Sequence, residues 1–210
     1  MHRETRTSVV VHRIALMLVL AAYALLVVPL AHAQQDPTTG SRAEIDRARA
    51  ALEKYRDPVV AIHDGYFSTL GCVQIAHAGV AGQVPYQPGG MGIHFLNTSL
   101  VGPTPDPARP QVLIYEPQGD SLRLVAAEWF IPLATGVKQR PTLWGQPFDG
   151  PMEGHHPLMP AALGHYDLHV WLFKPNPHGL YSPTNPDIKC GNYAYTVVEE
   201  APKLVPVPQH

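Results

Sequence analysis

Hydrophobic and polar residues alternate with a period of two over several short segments, which is the pattern of half-buried β-strands. The clearest are residues 112–116 and 122–131, which turn-forming residues separate, so that together they predict a β-hairpin. Residues 166–173 predict a third strand, and residues 91–96 and 193–198 predict two shorter ones. The sequence therefore predicts a mainly antiparallel sheet.

One segment has the spacing of an amphipathic helix. Apolar residues recur at helical spacing from Ile45 to Tyr55, and Ser41 and Glu44 before them form a capping-box pair. Asp57 precedes a proline, which predicts that the helix ends or kinks at this point.

The remaining segments are rich in proline and glycine, of which the chain contains 23 and 17. Residues 63–93 are predicted to be irregular, residues 103–110 to form a rigid connection and residues 132–163 to form a long loop. Such a loop is uncommon in a compact domain unless it has a function. We expect an α+β fold in which an N-terminal helix packs on an antiparallel sheet with long Pro/Gly-rich loops. The alternative is a jelly roll or sandwich with an added helix.

The N-terminal residues have the pattern of an export signal. Three arginines precede the apolar run 14–30, and Ala31-His32-Ala33 fits a cleavage site. We interpret residues 1–33 as a signal peptide, although retention as a membrane anchor is the alternative. The expected organisation is then a disordered lead at 34–40, a single globular domain at 41–200 and a tail at 201–210. The location would be periplasmic or secreted.

Cys72 and Cys190 are the two cysteines of the chain. In an exported protein the expected arrangement is one disulfide bond between them. The alternative is that both are thiolate metal ligands, but they are far apart in sequence and neither belongs to a C-x-x-C motif.

The charge of the chain gives no indication of nucleic-acid binding. Without residues 1–33 the chain keeps 12 basic and 16 acidic residues, a net charge of −4 with histidine neutral. We expect a small molecule or a metal ion as partner, no nucleic acid, and no membrane after removal of the signal.

Histidines and acids within the predicted strands are the candidates for chemistry. Alternation along 166–173 places Asp167 and His169 on the face opposite the apolar one. His94 lies between apolar residues of another strand, and Glu128 interrupts an apolar run. We therefore predict His94, Glu128 and His169 as a three-ligand set for zinc, copper or iron, to which the loop adds His155 or His165.

Each of these residues also has a structural explanation. A strand histidine is often hydrogen-bonded to backbone or carboxylate, and Glu128 is explained as a buried acceptor. Trp129, Trp171 and Asp167 are predicted to line a pocket, although the tryptophans are equally explained as core. The chain lacks the G-x-S-x-G, H-E-x-x-H and P-loop motifs, so no catalytic residue is predicted.

Three functions remain open from the sequence. The first is metal binding, in which an enzyme would use the ion to activate water or to polarise a carbonyl group. The second is a non-catalytic module that binds a small molecule or a partner in the cell envelope, and a purely structural envelope protein is a further possibility.

Three motifs in the chain are long enough to indicate a family. Residues 91–95 read MGIHF, residues 144–152 read WGQPFDGPM and residues 165–171 read HYDLHVW. With these motifs, residues 41–190 resemble a family of uncharacterised exported bacterial proteins. The resemblance implies a single exported domain and assigns no activity to any residue.

Overall fold

The computed structural model describes residues 39–81, 84–156, 159–191 and 193–207. All of them belong to one compact unit, residues 36–210. The predicted signal peptide at 1–33, and the lead at 34–40 up to residue 38, lie outside the described residues. Within the described part of the chain, no helix combines the length and the apolar composition that a membrane span requires.

In the described residues the α-helical part is small and lies before the sheet. Helix α1 covers Thr39–Leu52, a 3-10 turn covers Glu53–Arg56 and helix α2 covers Pro58–His63. The predicted capping box is wrong, because Ser41 lies inside α1 and its hydroxyl donates to the carbonyl of Trp144 at 2.9 Å. The predicted break at Asp57 is confirmed. Asp57 is the N-cap residue of α2, and its side chain accepts a hydrogen bond from the Val59 amide.

The β-structure consists of eleven strands in the described residues. They are β1 (Phe67–Ile75), β2 (Gly79–Ala81), β3 (Val84–Tyr86), β4 (Gly89–Leu96), β5 (Val112–Gln118), β6 (Ser121–Pro132), β7 (Thr142–Leu143), β8 (Gln146–Pro147), β9 (Asp149–Met152), β10 (His165–Val170) and β11 (Thr196–Glu199). Seven of them form one sheet in the order β11-β1-β4-β5-β6-β10-β9. Strand β11 is parallel to β1, and the other neighbours are antiparallel. The α+β class is confirmed.

The sheet is curled, so that its two edges approach each other. Glu199 of the edge strand β11 lies 3.5 Å from His155, which follows the opposite edge strand β9. The main hydrophobic core lies on the outer face, where Ile45 and Leu52 of α1 pack with strand residues such as Leu113 and Leu168. The inner face has smaller apolar clusters and a concentration of buried polar side chains.

Several segments that were predicted to be irregular contain regular structure. Residues 63–93 include β1, and residues 132–163 include β9, because both strands pair with partners distant in sequence. The predicted tail is also attached to the domain. The amide of Val205 donates to the carbonyl of Pro151 at 3.0 Å, and the amide of Glu153 donates to the carbonyl of Lys203 at 2.9 Å.

The disulfide prediction is confirmed. Cys72 of β1 is bonded to Cys190, and their Cα atoms lie 5.6 Å apart. The bond holds the segment before β11 against β1, where the Cys72 amide also donates to the carbonyl of Tyr195 at 2.8 Å. It therefore supports the parallel pairing of β11 with β1.

We expect the protein to lose stability in alkali because of two core tyrosines. Burial, with the nearby Tyr55, raises the pKa of Tyr66 and of Tyr115, whose hydroxyls donate to carbonyl groups at 2.7 Å. Above about pH 10 the unfolded chain releases protons that the folded chain retains, so the free energy of unfolding falls by about 1.4 kcal/mol per pH unit for each tyrosine.

Denaturant unfolding between about pH 9 and 11 measures this slope. The substitutions Tyr66→Phe and Tyr115→Phe should each make the slope shallower. The control Tyr195→Phe, at a side chain that is 62% exposed, should not change it. Equal slopes in all four proteins would contradict the assignment.

Candidate metal centre

Strand β10 places three ionisable side chains on the inner face of the sheet. Side chains alternate between the two faces of a strand, so His165, Asp167 and His169 point inward while Tyr166 and Leu168 enter the main core. All three polar residues are buried. The period-two pattern of this segment therefore builds one wall of a polar interior.

The pairing of the strands brings His169 next to two residues from other strands. Glu128 of β6 lies directly opposite His169, and Val112 of β5 lies opposite Glu128. His94 of β4 is on the same face, and the curl of the sheet carries it over β5 towards Glu128. We call His94, Glu128 and His169 the first group.

The ligand atoms of the first group face one another. The Nε2 atom of His94 lies 3.4 Å and the Nε2 atom of His169 lies 3.5 Å from Oε2 of Glu128. One ligand atom from each residue lies within 4.8 Å of the others. Among the described residues, neither ring nitrogen of His169 has a hydrogen-bond partner. The three side chains therefore converge, and no hydrogen bond joins His169 to Glu128.

The charge states of the first group follow from burial. Burial, together with neighbouring histidines, lowers the pKa of His94 to about 3, and burial lowers the pKa of His169 to about 4. Burial and the charges of Asp167 and Glu199 raise the pKa of Glu128 well above its ordinary value. Near neutral pH both imidazoles are uncharged and have a nitrogen lone pair available for a cation.

The path of β4 beside the first group requires a glycine. Gly92 has a φ of +95°, and a Cβ atom there would lie 2.7 Å from the carbonyl oxygen of Tyr115. A side chain would be strained in this conformation and would collide with β5. Gly92 therefore allows the irregular start of β4 that precedes His94.

A second group of possible ligands lies further along the inner face. His155, His165 and Asp167 each offer an atom within 4.8 Å of the others. Nε2 of His165 is 3.7 Å from Oδ2 of Asp167, which is too long for a hydrogen bond. The other ring nitrogen, Nδ1, lies 3.1 Å from the carbonyl oxygen of Leu163. We call these three residues the second group.

Acidic neighbours surround the second group. Burial alone would lower the pKa of His155, but Glu199 and Asp167 outweigh it and raise that pKa. Burial alone would raise the pKa of Asp167, but the adjacent imidazoles of His165, His169 and His155 outweigh it and lower that pKa. Asp149 lies opposite Asp167 in the sheet, and burial together with the Asp167 charge raises its pKa well above the ordinary value.

A cavity of about 190 Å³ opens onto the first group and onto part of the second. Its polar part is formed by the first group with Thr69, His155 and Glu199. The remaining wall is mainly apolar and includes Val73, Met91, Leu96, Val112, Phe130 and Met159. A metal ion at the first group would therefore have a coordination position that a water molecule or a small ligand could reach.

The positions of the predicted site residues differ in part from the expectation. The structure brings His94, Glu128 and His169 together, as the pattern of the strands predicted. His155 and His165 do not complete that set but belong with Asp167 to the second group. A regular strand explains this, because residues four apart lie about 13 Å from each other.

The predicted pocket wall requires two corrections. Trp129 lies on the outer face in the main core, and its Nε1 donates to the carbonyl of Asp106 at 2.7 Å. Trp171 is on the inner face, but it packs with Ile114 and Phe130, and its Nε1 donates to the carbonyl of Ser182 at 2.6 Å. Asp167 is fully buried within the second group.

Two buried acids at the site were missed by sequence reasoning. Glu199 ends a short strand beside a second glutamate, and Asp149 precedes a Gly-Pro pair, so both resemble surface residues of turns or strand ends. In the structure they are 4% and 2% exposed. Only the pairing of β11 with β1 and of β9 with β10 places them inside, and these pairings leave no local signal.

Comparison with known proteins adds no functional information. No protein-family model, curated protein or solved structure matches the chain.

Proposed function

We propose that the protein is an exported protein that binds a transition-metal ion through His94, Glu128 and His169. Two imidazoles and one carboxylate form a ligand set that zinc and iron centres use. The disulfide bond between Cys72 and Cys190 supports export, because such bonds persist in oxidising compartments.

The spacing of the ligand atoms is the observation that carries the proposal. Two ligands bonded at about 2.0–2.1 Å to one tetrahedral ion lie about 3.3–3.4 Å apart. The two His–Glu128 distances of 3.4 and 3.5 Å are close to this value. By contrast, the buried acid Glu116 is bonded directly to Lys174 at 2.7 Å. These two spacings support the binding of a common ion, and the ligand atoms of His94 and His169 also lie within 4.8 Å of each other.

The alternative function is the binding of a small apolar molecule without a metal. The apolar wall of the cavity favours it, because ligand pockets are commonly apolar with a few polar groups that fix orientation. In that case the first group would bind a polar atom of the ligand, and Zn²⁺ affinity would not depend on Glu128.

Equilibrium dialysis with Zn²⁺ on the untagged protein tests the proposal. We expect Glu128→Gln to lower the Zn²⁺ affinity of this centre about 100-fold or more, because even substitutions behind a ligand cost 10–100-fold. The amide keeps the size of Glu128 and lacks its charge, so the fold should be preserved. His169→Ala should have the same effect.

The matched control is His63→Gln, which removes an exposed imidazole at the end of α2. It should leave Zn²⁺ binding unchanged. Equal affinity in wild type, Glu128→Gln and His169→Ala would contradict the metal centre and would favour the small-molecule function.

A further inference from the structure

We infer that His155, His165 and Asp167 hold a second metal ion, so that the protein binds two ions beside one cavity. This inference extends the proposed function, but it rests on different ligands and can fail independently. The second group again combines two imidazoles with one carboxylate, the donor set that suits divalent transition metals.

The burial of Asp167 is the first argument for the second ion. Asp167 and His165 are each 0% exposed, and neither the two carboxylate oxygens nor Nε2 of His165 has a hydrogen-bond partner among the described residues. A buried carboxylate is normally paired or bound to a metal. Elsewhere in this chain the buried Glu116 follows that rule, because Lys174 donates to both of its oxygens.

The orientation of His165 is the second argument. Its Nδ1 lies 3.1 Å from the carbonyl oxygen of Leu163, to which an N–H group at this position donates. That bond fixes the tautomer and leaves a lone pair on Nε2, which points towards Asp167. Metal-binding histidines commonly have this arrangement, in which the second ring nitrogen is anchored to a carbonyl or carboxylate group.

His155 faces a carboxylate on one side and a thioether on the other. Its Nδ1 lies 3.5 Å from Oε2 of Glu199, which the parallel strand β11 brings to the opposite edge of the curled sheet. Its Nε2 lies 3.4 Å from the thioether of Met152, a weak acceptor. The segment that carries His155 begins with Gly154, where a Cβ atom would lie 1.9 Å from the carbonyl oxygen of Pro160. The close turn that positions His155 therefore requires glycine.

The second group cannot be part of the first. His165 and His169 are four residues apart on β10, so their Cα atoms lie about 13 Å apart in a regular strand. Among the described residues, the ligand atoms that lie within 4.8 Å of one another fall into these two separate groups, with His169 in the first and His165 in the second. The two groups nevertheless border the same cavity, because His155 and His169 both line it. The geometry therefore supports two ions rather than one ion with more ligands.

Zn²⁺ stoichiometry in the untagged protein tests the inference. We expect two equivalents in the wild type, one in Glu128→Gln, one in Asp167→Asn and none in the double variant. Asparagine matches the size of Asp167, and His165→Gln provides a second removal if that variant does not fold. Circular dichroism establishes that each variant is folded.

The pattern of losses separates the two proposals. If the wild type binds one equivalent, and Glu128→Gln removes it whereas Asp167→Asn does not, the second site is overturned and the first is supported. One equivalent that only Asp167→Asn removes would support the second site and would overturn the first. No bound Zn²⁺ in the folded wild type would overturn both.

Discussion

Replacing Cys72 and Cys190 together by alanine is expected to lower the free energy of unfolding by about 4–5 kcal/mol. The bond joins residues separated by 118 positions, so it removes much of the entropy of the unfolded chain. Alanine is the appropriate replacement because both cysteines are buried, at 0% and 3% exposure. Urea unfolding of the double variant and the wild type measures the difference.

The wild type unfolded in the presence of a reductant is the control for that experiment. It should approach the stability of the double variant, because both lack the cross-link. Loss of the disulfide bond should also lower the Zn²⁺ affinity of the second group. The bond supports the pairing of β11 with β1, which places Glu199 beside His155. A double variant as stable as the oxidised wild type would show that the cross-link adds nothing to the fold.

Replacing Trp129 by alanine is expected to lower the free energy of unfolding by about 3–5 kcal/mol. The side chain is fully buried, packs edge-on against Trp144 with ring centroids 5.1 Å apart, and donates to the carbonyl of Asp106. The substitution would leave a large cavity in the main core and would release the proline-rich connection at 103–110 from the sheet. Urea unfolding also measures this effect.

Trp129→Phe separates the packing of the ring from its hydrogen bond. It should cost less than the alanine variant because most of the buried volume remains. Zn²⁺ stoichiometry in Trp129→Phe should equal that of the wild type, since Trp129 lies on the face opposite both groups. A loss of bound metal without a loss of stability would support the original interpretation of Trp129 as a pocket wall.

Local patterns in the sequence predicted the parts of the fold that local interactions determine. The predicted hairpin of β5 and β6 is confirmed. It could be predicted because its alternating strands and its turn lie close together in the chain. The two faces of β10 were predicted for the same reason, since alternation alone separates Asp167 and His169 from Leu168. Prediction of the disulfide bond required only the number of cysteines and the expected compartment.

The remaining features depend on contacts between distant segments. Strand β1 contains Gly71, and irregularities interrupt its register with β4, so its sequence has no clean alternation. Trp129 was predicted to line a pocket or to belong to the core, and it lies in the core because neighbours in a strand point to opposite sides and Glu128 faces inward. His155 likewise joins His165 and Asp167 because β9 pairs with β10, which the sequence did not predict.

The three side chains of the first group are attached to β4, β6 and β10, three strands that the main core aligns through their other face. In a zinc finger the ion provides the energy of folding, and the chain without it is unstructured. Here apolar packing and a covalent cross-link stabilise the scaffold, so an ion would bind after the chain has folded. Its exchange would then be governed by access through the cavity mouth rather than by unfolding of the chain.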